Sequence, residues 1–171
     1  HGWTRSLPKQ NHVSNKSDDW FEESFRFVLP GYNVRPVEMR GAIGVEQLKK
    51  LPSFLKQRRC NAKLFVELFR DHPDFIIQKN IGNSSWFGFS LIIRPISKLR
   101  RKYVIRKLQE NQIDCRPIVT GNFTRNEVMK YFHYEIHQEL VNADYLHENG
   151  FFVGNSHICL KNKLNFLLNI L

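Results

Sequence analysis

The sequence predicts an α+β fold, and three features carry that expectation. Strand-like stretches number only two or three and are irregularly spaced among the helices, which excludes a doubly wound sheet. No glycine-rich phosphate loop of the GxGxxG or GxxxxGK type is present, so the common nucleotide-binding folds fall away. At 171 residues, with 42% hydrophobic and 13% aromatic content, the chain has apolar material enough for one core.

Residues 1 to 30 are polar and irregular, with SNKSDD at 14 to 19; Phe21, Phe25 and Phe27 supply apolar anchors for a long, locally packed excursion. From Pro36 to Asp71 the residues Met39, Ile43, Leu48, Leu51, Leu55, Ala62, Phe65 and Phe69 recur at spacings of three and four, with some longer steps, which is helical. Pro52 interrupts this run and pushes Leu51 out of the helical region, so two consecutive helices or one kinked helix are expected, ended by HPDF at 72 to 75. SWFGFSLIIRP at 85 to 95 reads as a buried strand, because aromatic and β-branched residues run almost unbroken until Pro95. A helix at 98 to 110 follows from Leu99, Val104, Ile105 and Leu108.

IDCRPIV at 113 to 119 is a second strand, bounded by Pro117 and the turn signal TGN. A short helix begins near Arg125, and another over Gln138 to Glu148 leads to Gly150 as its C-cap. FFVGN is a third, short strand, and Leu160, Leu164, Leu167, Leu168 and Leu171 mark a terminal amphipathic helix.

The unusual bulk property is charge: 26 Lys and Arg against 16 Asp and Glu give +10. Polyanions are therefore candidate partners. The bursts KQRR at 56 to 59 and KLRRK at 98 to 102 read either as solvated helix faces or as a nucleic-acid surface, and no RNP, KH, zinc-finger or helix-turn-helix signature accompanies them. Phosphorylated small molecules need only a few well-placed arginines. Cys60, Cys115 and Cys159 fit neither a disulfide framework nor paired zinc-ligand spacing and read as reduced thiols. With no apolar run of membrane-spanning length and no secretory leader, the expected location is soluble and cytoplasmic, with no membrane partner.

GYNVRPVEMRGAIGVEQLKKL at 31 to 51 is the most informative segment, since it sets Asn33 and Arg35 in a glycine-led turn just before a helix. An amide and a guanidinium beside free helix N–H groups suit a phosphate. The competing reading is that Asn33 caps the helix or occupies a left-handed turn.

Together with PSFLKQRR, this segment resembles the GYNxR, AAIG and QLxxL stretch of the DegT/StrS family of vitamin-B6-dependent nucleotide-sugar aminotransferases and 3-dehydrases. HGWTR is similar to the RxHG stretch that precedes it there, and SWFGFSLII, IDCRPIVTGNFTR and NGFFVGNSH follow in the family's order, so the resemblance covers essentially the whole chain. It implies the C-terminal small domain of a fold-type I enzyme, with a small, mostly antiparallel sheet packed by helices. Residues 1 to 35 would be an interface and active-site loop, and 36 to 171 the small domain. The Schiff-base residue would lie upstream of His1, so this chain alone is expected to be inactive.

The resemblance also implies roles. Asn33 corresponds to an asparagine that reaches the cofactor phosphate, of pyridoxal 5'-phosphate or pyridoxamine 5'-phosphate, in the neighbouring subunit of a homodimer. Arg35 corresponds to an arginine near the phosphates of a nucleotide-diphosphate sugar, and Arg116 and Asn122 lie in the segment lining the sugar and nucleotide pocket; a surface ion pair is the other reading of Arg116. RPIVTGN departs from the RPxxxPLxxQ pattern of common aminotransferases and is closer to the 3-dehydrase branch, where a histidine replaces the Schiff-base lysine. The implied substrate is a nucleotide-linked 4-keto-6-deoxy sugar in lipopolysaccharide or other surface-glycan biosynthesis.

His157, in VGNSH, follows a strand and is a candidate for the pocket, with a structural or surface histidine as the alternative. His133 and His137 stand at i and i+4, a metal-binding spacing on a helix, but no third ligand accompanies them and Tyr131, Phe132 and Tyr134 point to an aromatic packing patch, so no metal is expected. Trp86 and Phe87 read as core or interface residues. The rival from another class is a free-standing basic module that binds nucleic acid or another polyanion.

Overall fold

The computed structural model describes residues 4–19, 23, 27–32, 34 and 36–171. Its backbone contacts divide the chain into two units, His1–Leu48 and Lys49–Leu171.

In the first unit, the polar excursion is closed by its own side chains. The buried Thr4 hydroxyl donates to Glu23 Oε1, whose other oxygen accepts from the Ser17 N–H at 2.9 Å. Lys16 Nζ donates to the carbonyls of Arg5 and Leu7 at 3.0 and 2.7 Å, and Asn11 Oδ1 accepts from the N–H groups of Val13 and Ser14. Of the three expected anchors, Phe27 is exposed, while Phe21 and Phe25 lie outside the described residues.

The helical run is one element, α1 (Glu38–Phe69), with Pro52 inside it. Its upstream apolar residues Met39, Ile43, Leu48 and Leu51 are exposed, whereas Asn61, Ala62, Phe65 and Phe69 are buried. The periodicity was read correctly, but only its last two turns are buried in this chain.

The second unit is built on a four-stranded antiparallel sheet in the order β1-β2-β4-β3, comprising β1 (Phe75–Ile77), β2 (Gly88–Ile93), β3 (Cys115–Arg116) and β4 (Gly150–Gly154). β1 is a strand beyond those expected: FII, which begins on the last residue of the helix-ending HPDF, is too short for periodicity to register, and it forms because Phe75 pairs with Ile93 and Ile77 with Leu91. The expected strand at 113 to 119 shrinks to two residues, because Pro117 has no N–H for the ladder.

Register sorts the two faces. Phe75, Phe89, Leu91, Ile93, Phe151 and Val153 point inward and are buried; Ser90, Phe152 and Arg116, with Gly88 and Gly154, lie on the opposite face. The inner face meets Phe65 and Phe69 of α1, Val104 and Leu108 of α2 (Arg101–Glu110), and Leu164, Leu167 and Ile170 of α4 (Lys161–Ile170). Phe65 stacks on Phe89 at 4.5 Å and on Phe69 at 4.9 Å between centroids, and Phe75 meets Phe151 edge-on at 6.0 Å. Each fully buried phenylalanine contributes up to about 3 kcal/mol of burial energy.

Past β3 the chain forms two short 3-10 turns, Phe123–Arg125 and Glu127–Tyr131, in place of the α-helix expected from Arg125. Then α3 (Val141–Asn149) ends at Gly150, whose extended backbone already begins β4. His133 and His137 lie in non-helical chain, so their i, i+4 spacing places no shared face, and no metal-ligand cluster exists among the described residues. Tyr131, Phe132 and Tyr134 are exposed rather than packed. No helix among the described residues is long and apolar enough to cross a membrane.

Candidate substrate-binding site

A cleft of about 290 Å3 opens on the outer face at the β2-β4-β3 end of the sheet. Arg58, Phe87, Asp114, Cys115, Arg116, Phe152, Gly154 and Asn155 line it. Gly154, in its lining, is directly opposed to Gly88 of β2. A Cβ on Gly88 would stand 2.6 Å from Phe152 Cδ2, so glycine there lets the Phe152 ring lie across the strand, while the space above Gly154 is open.

Two loops frame the cleft, and one polar network fixes both. Arg58 of α1 donates through Nε to the Ser85 carbonyl at 3.0 Å, through Nη1 to the Asn155 carbonyl at 3.2 Å, and through Nη2 to the Trp86 carbonyl. Asn155 Nδ2 answers by donating to the carbonyls of Arg58 and Trp86 at 3.1 and 3.0 Å. One turn on, Asn61 is 2% exposed. Its Nδ2 reaches the Ser156 and Ile158 carbonyls at 3.0 and 2.7 Å, and its Oδ1 accepts from the Leu160 N–H at 3.1 Å. Buried polar groups with this many partners hold a single arrangement.

That arrangement carries strain beside the cleft. Trp86 sits at φ 52, in the left-handed region unfavourable to a bulky side chain. Its carbonyl takes both Arg58 and Asn155, its N–H donates to Ser84 Oγ at 3.0 Å, and its ring is buried against Phe65 and Phe89. The effect is to push the next residue, Phe87, into solvent at 80% exposure, where it meets Phe152 with ring centroids 5.7 Å apart. Trp86 is thus core and Phe87 is a wall of the cleft.

Arg116 projects from the other side, with Nη2 3.8 Å from Asp114 Oδ2 and both side chains largely exposed. Asp114 stands just before β3 and Arg116 at its end, and both line the cleft. Burial, reinforced by the Asp114 carboxylate, pushes the Cys115 thiol above its usual range, so it is a poor nucleophile at neutral pH.

The IVTGN turn after Arg116 is locked from below. Gly121 has φ 62, and a Cβ there would stand 2.5 Å from His147 Nδ1. The buried Asn122 accepts from Thr124 N and Oγ1 at 3.0 and 2.7 Å and donates from Nδ2 to Asp144 Oδ1 at 2.9 Å. In this chain Asn122 therefore shapes the turn. Val119, exposed at the tip, is held at φ 48, strain of the kind found at ligand-binding loops.

His157 is exposed and lies 4.4 Å from Phe54 between ring centroids. Asn33 and Arg35 lie outside the described residues. Of the candidate binding residues that are described, Arg116 lines the cleft and Asn122 and His157 are not in its lining; Arg58, Asp114, Phe87, Phe152 and Asn155 were missed as site residues. Their signal is register: Arg116 comes opposite Phe152, and Gly88 opposite Gly154, only once the strands are paired.

The basic bursts also resolve. Arg59 donates to the carbonyls of Ser84 and Asn83, and Arg101 to those of His147 and Gly150, so these arginines, like Arg58, clamp backbone turns.

A fold of this kind with a strained, arginine-flanked cleft defines a class that comparison with known proteins makes explicit. Residues 4–157 match the DegT/DnrJ/EryC1/StrS aminotransferase family, and the chain belongs to it. Its whole length is 57% identical over 173 residues to the GDP-4-keto-6-deoxy-D-mannose 3-dehydratase of Escherichia coli O55:H7. The solved E. coli GDP-4-keto-6-deoxy-D-mannose-3-dehydratase with bound hydrated PLP matches all of the chain with a TM-score of 0.94 at 57% identity. A GDP-4-keto-6-deoxymannose-3-dehydratase variant with bound GDP-perosamine matches 99% of it with the same score at 56% identity. The chain spans 45% of that curated relative, and 44% and 45% of those solved chains. The α+β architecture is therefore that of the C-terminal part of a fold-type I enzyme, as the resemblance implied.

Proposed function

We propose that this chain is the substrate-binding portion of a vitamin-B6-dependent enzyme that removes the C3 hydroxyl from a GDP-linked 4-keto-6-deoxy sugar in surface-glycan biosynthesis in the cytoplasm. The observation that carries the reading is the 57% identity extending over the whole chain to a 3-dehydratase of that substrate. Amino transfer to the same keto sugar is the second reading, favoured only by the family's wider membership.

Every described lysine is exposed or half-buried. A Schiff-base amine needs a desolvated, positioned environment, which these lysines lack, and in the 3-dehydrase reading a histidine stands in place of that lysine. This fits a chain that lends binding groups and not the amine. Asn33 would hold the cofactor phosphate across a homodimer, and Arg35 the sugar diphosphate. The cofactor, when bound, supplies the electron sink for loss of the hydroxyl.

Within the cleft, Arg116 supplies a delocalised cation for the diphosphate or sugar hydroxyls, and the Arg58–Asn155 network holds the opposite wall still. The IVTGN turn and His157 border the sugar.

The test is Arg116→Ala in the full-length, cofactor-loaded enzyme acting on GDP-4-keto-6-deoxymannose. KM rises about tenfold or more while kcat changes little, as expected when a binding contact is lost. An unchanged KM contradicts the assignment.

A further inference from the structure

We propose that His147 and Asp144 of α3 are positioning residues for the IVTGN turn, and that the turn keeps its substrate-facing shape only while His147 is neutral. The inference rests on the reading above in which this turn borders the sugar, and it names what sets the turn in place.

One residue, Asn122, takes both holds. It is 4% exposed; its backbone N–H donates to His147 Nδ1 at 3.3 Å and its side-chain Nδ2 donates to Asp144 Oδ1 at 2.9 Å. Asp144 and His147 stand at i and i+3, neighbours on one side of α3. Little slack separates them from the turn, since a Cβ on Gly121 would stand 2.5 Å from His147 Nδ1 and 2.9 Å from its Cα. The Gly121 N–H in turn donates to the Ile118 carbonyl at 2.8 Å, closing the loop around Val119 and Thr120. Val119, at the tip, is 81% exposed and held at φ 48, a conformation that a β-branched residue keeps only under constraint. The turn is anchored at its base and strained at its tip, and the anchors keep the tip from relaxing.

One of those anchors depends on a proton. A backbone N–H can only donate, so Nδ1 must present its lone pair, which fixes the neutral imidazole with its hydrogen on Nε2. A proton on Nδ1 sets two donors face to face, and the packing of the ring on Gly121 keeps it from turning aside. The charged groups around the ring are Asp144 and Glu148 of α3, Arg125 of the first 3-10 turn and Arg101 of α2. Arg125 reaches Asp144 at 3.4 Å and Glu148 at 3.0 Å, and Arg101 is bound to the His147 and Gly150 carbonyls. As pH falls, the hold on the Asn122 N–H is lost, the tip relaxes and the sugar is bound more weakly.

The experiment takes the full-length protein loaded with pyridoxamine phosphate, unsubstituted and as His147→Asn, Asp144→Asn and Asp144→Ala, from about pH 8 to about pH 5.5, a range that spans imidazole titration. Single-turnover kinetics on GDP-4-keto-6-deoxymannose separate the half-saturating concentration from the limiting rate. Amide hydrogen exchange of residues 118 to 125, corrected for its intrinsic pH dependence, reads the turn itself. An asparagine at position 147 keeps an acceptor and cannot titrate. Down this range the half-saturating concentration of the unsubstituted protein rises about fivefold more than that of His147→Asn, as loss of one hydrogen bond implies, while the limiting rates run together. Exchange in the turn quickens in step, in the unsubstituted protein alone. Asp144→Ala raises the half-saturating concentration at every pH, and Asp144→Asn, which keeps an oxygen for Asn122, restores it.

Parallel pH courses in the unsubstituted protein and His147→Asn overturn the proposal, as does an Asp144→Ala protein with unchanged half-saturation. Should Asp144→Ala fail to fold, the His147→Asn comparison decides alone. Untouched substrate in the unsubstituted protein overturns the 3-dehydratase reading. Exchange then decides the turn by itself, and equal protection at both ends of the pH range overturns the dependence on His147.

Discussion

His72 shows how one side chain couples this fold to pH. It sits half-buried at the α1–β1 corner, its ring stacked on Phe69 at 5.8 Å and tilted on Phe75 at 5.0 Å, with Nδ1 accepting from the Asp74 N–H at 3.2 Å. Burial lowers its pKa from 6.5, with Arg94 acting the same way and Asp74 opposing. The unfolded chain therefore binds the proton first as pH falls. The stability conferred by neutral His72 is complete above the unfolded value and drains away as pH drops below it. His72→Phe keeps the stacking and removes the titration, so the fall in Tm from about pH 7 to about pH 5 flattens in the variant. Parallel slopes in the two proteins would contradict this assignment. Residue identity alone pointed to Arg116, but Asn61 and Asn155 look like ordinary polar residues in sequence; their roles come from carbonyls more than ninety positions away, a distance over which no local pattern carries information.

Elements were legible in proportion to their length. The long α1 and the apolar β2 carry enough periodicity to be read directly, whereas β1 and the two-residue β3 exist through pairing and are invisible beforehand. Pro52 is tolerated within α1. In the same turn the Ser53 hydroxyl donates to the Lys50 carbonyl at 2.7 Å. What makes α1 part of the site is its last turns: Arg58 and Asn61 tie it to the 84 to 87 and 155 to 160 loops at once. Asn61→Ala leaves the Leu160 N–H and two loop carbonyls without their partner and costs about 2 kcal/mol or more by urea denaturation. A loss below about 0.5 kcal/mol would show that water or neighbouring groups replace it and that the network is not what holds the loops.

At the scale of the whole molecule, the same 171 residues show two kinds of surface. The second unit has a closed core, while Met39, Ile43, Val45 and Leu48 in the first unit, and Phe123, Tyr131, Phe132 and Ile136 in the second, stay exposed. Apolar surface of this extent calls for a covering partner, and in the proposed reading that partner is the remainder of the enzyme and its second subunit. Within a chain of net charge +10, Arg58, Arg59 and Arg101 are engaged by backbone carbonyls and serve the fold. The family was legible because its motifs are ordered along the chain. The cleft was not, because it is assembled from β2, β3, β4 and α1 through register. The most direct measurement is product analysis from the full-length protein loaded with pyridoxamine phosphate and given GDP-4-keto-6-deoxymannose. The account predicts a sugar that has lost its C3 hydroxyl and kept its C4 carbonyl; a 4-amino sugar, or untouched substrate, would contradict it.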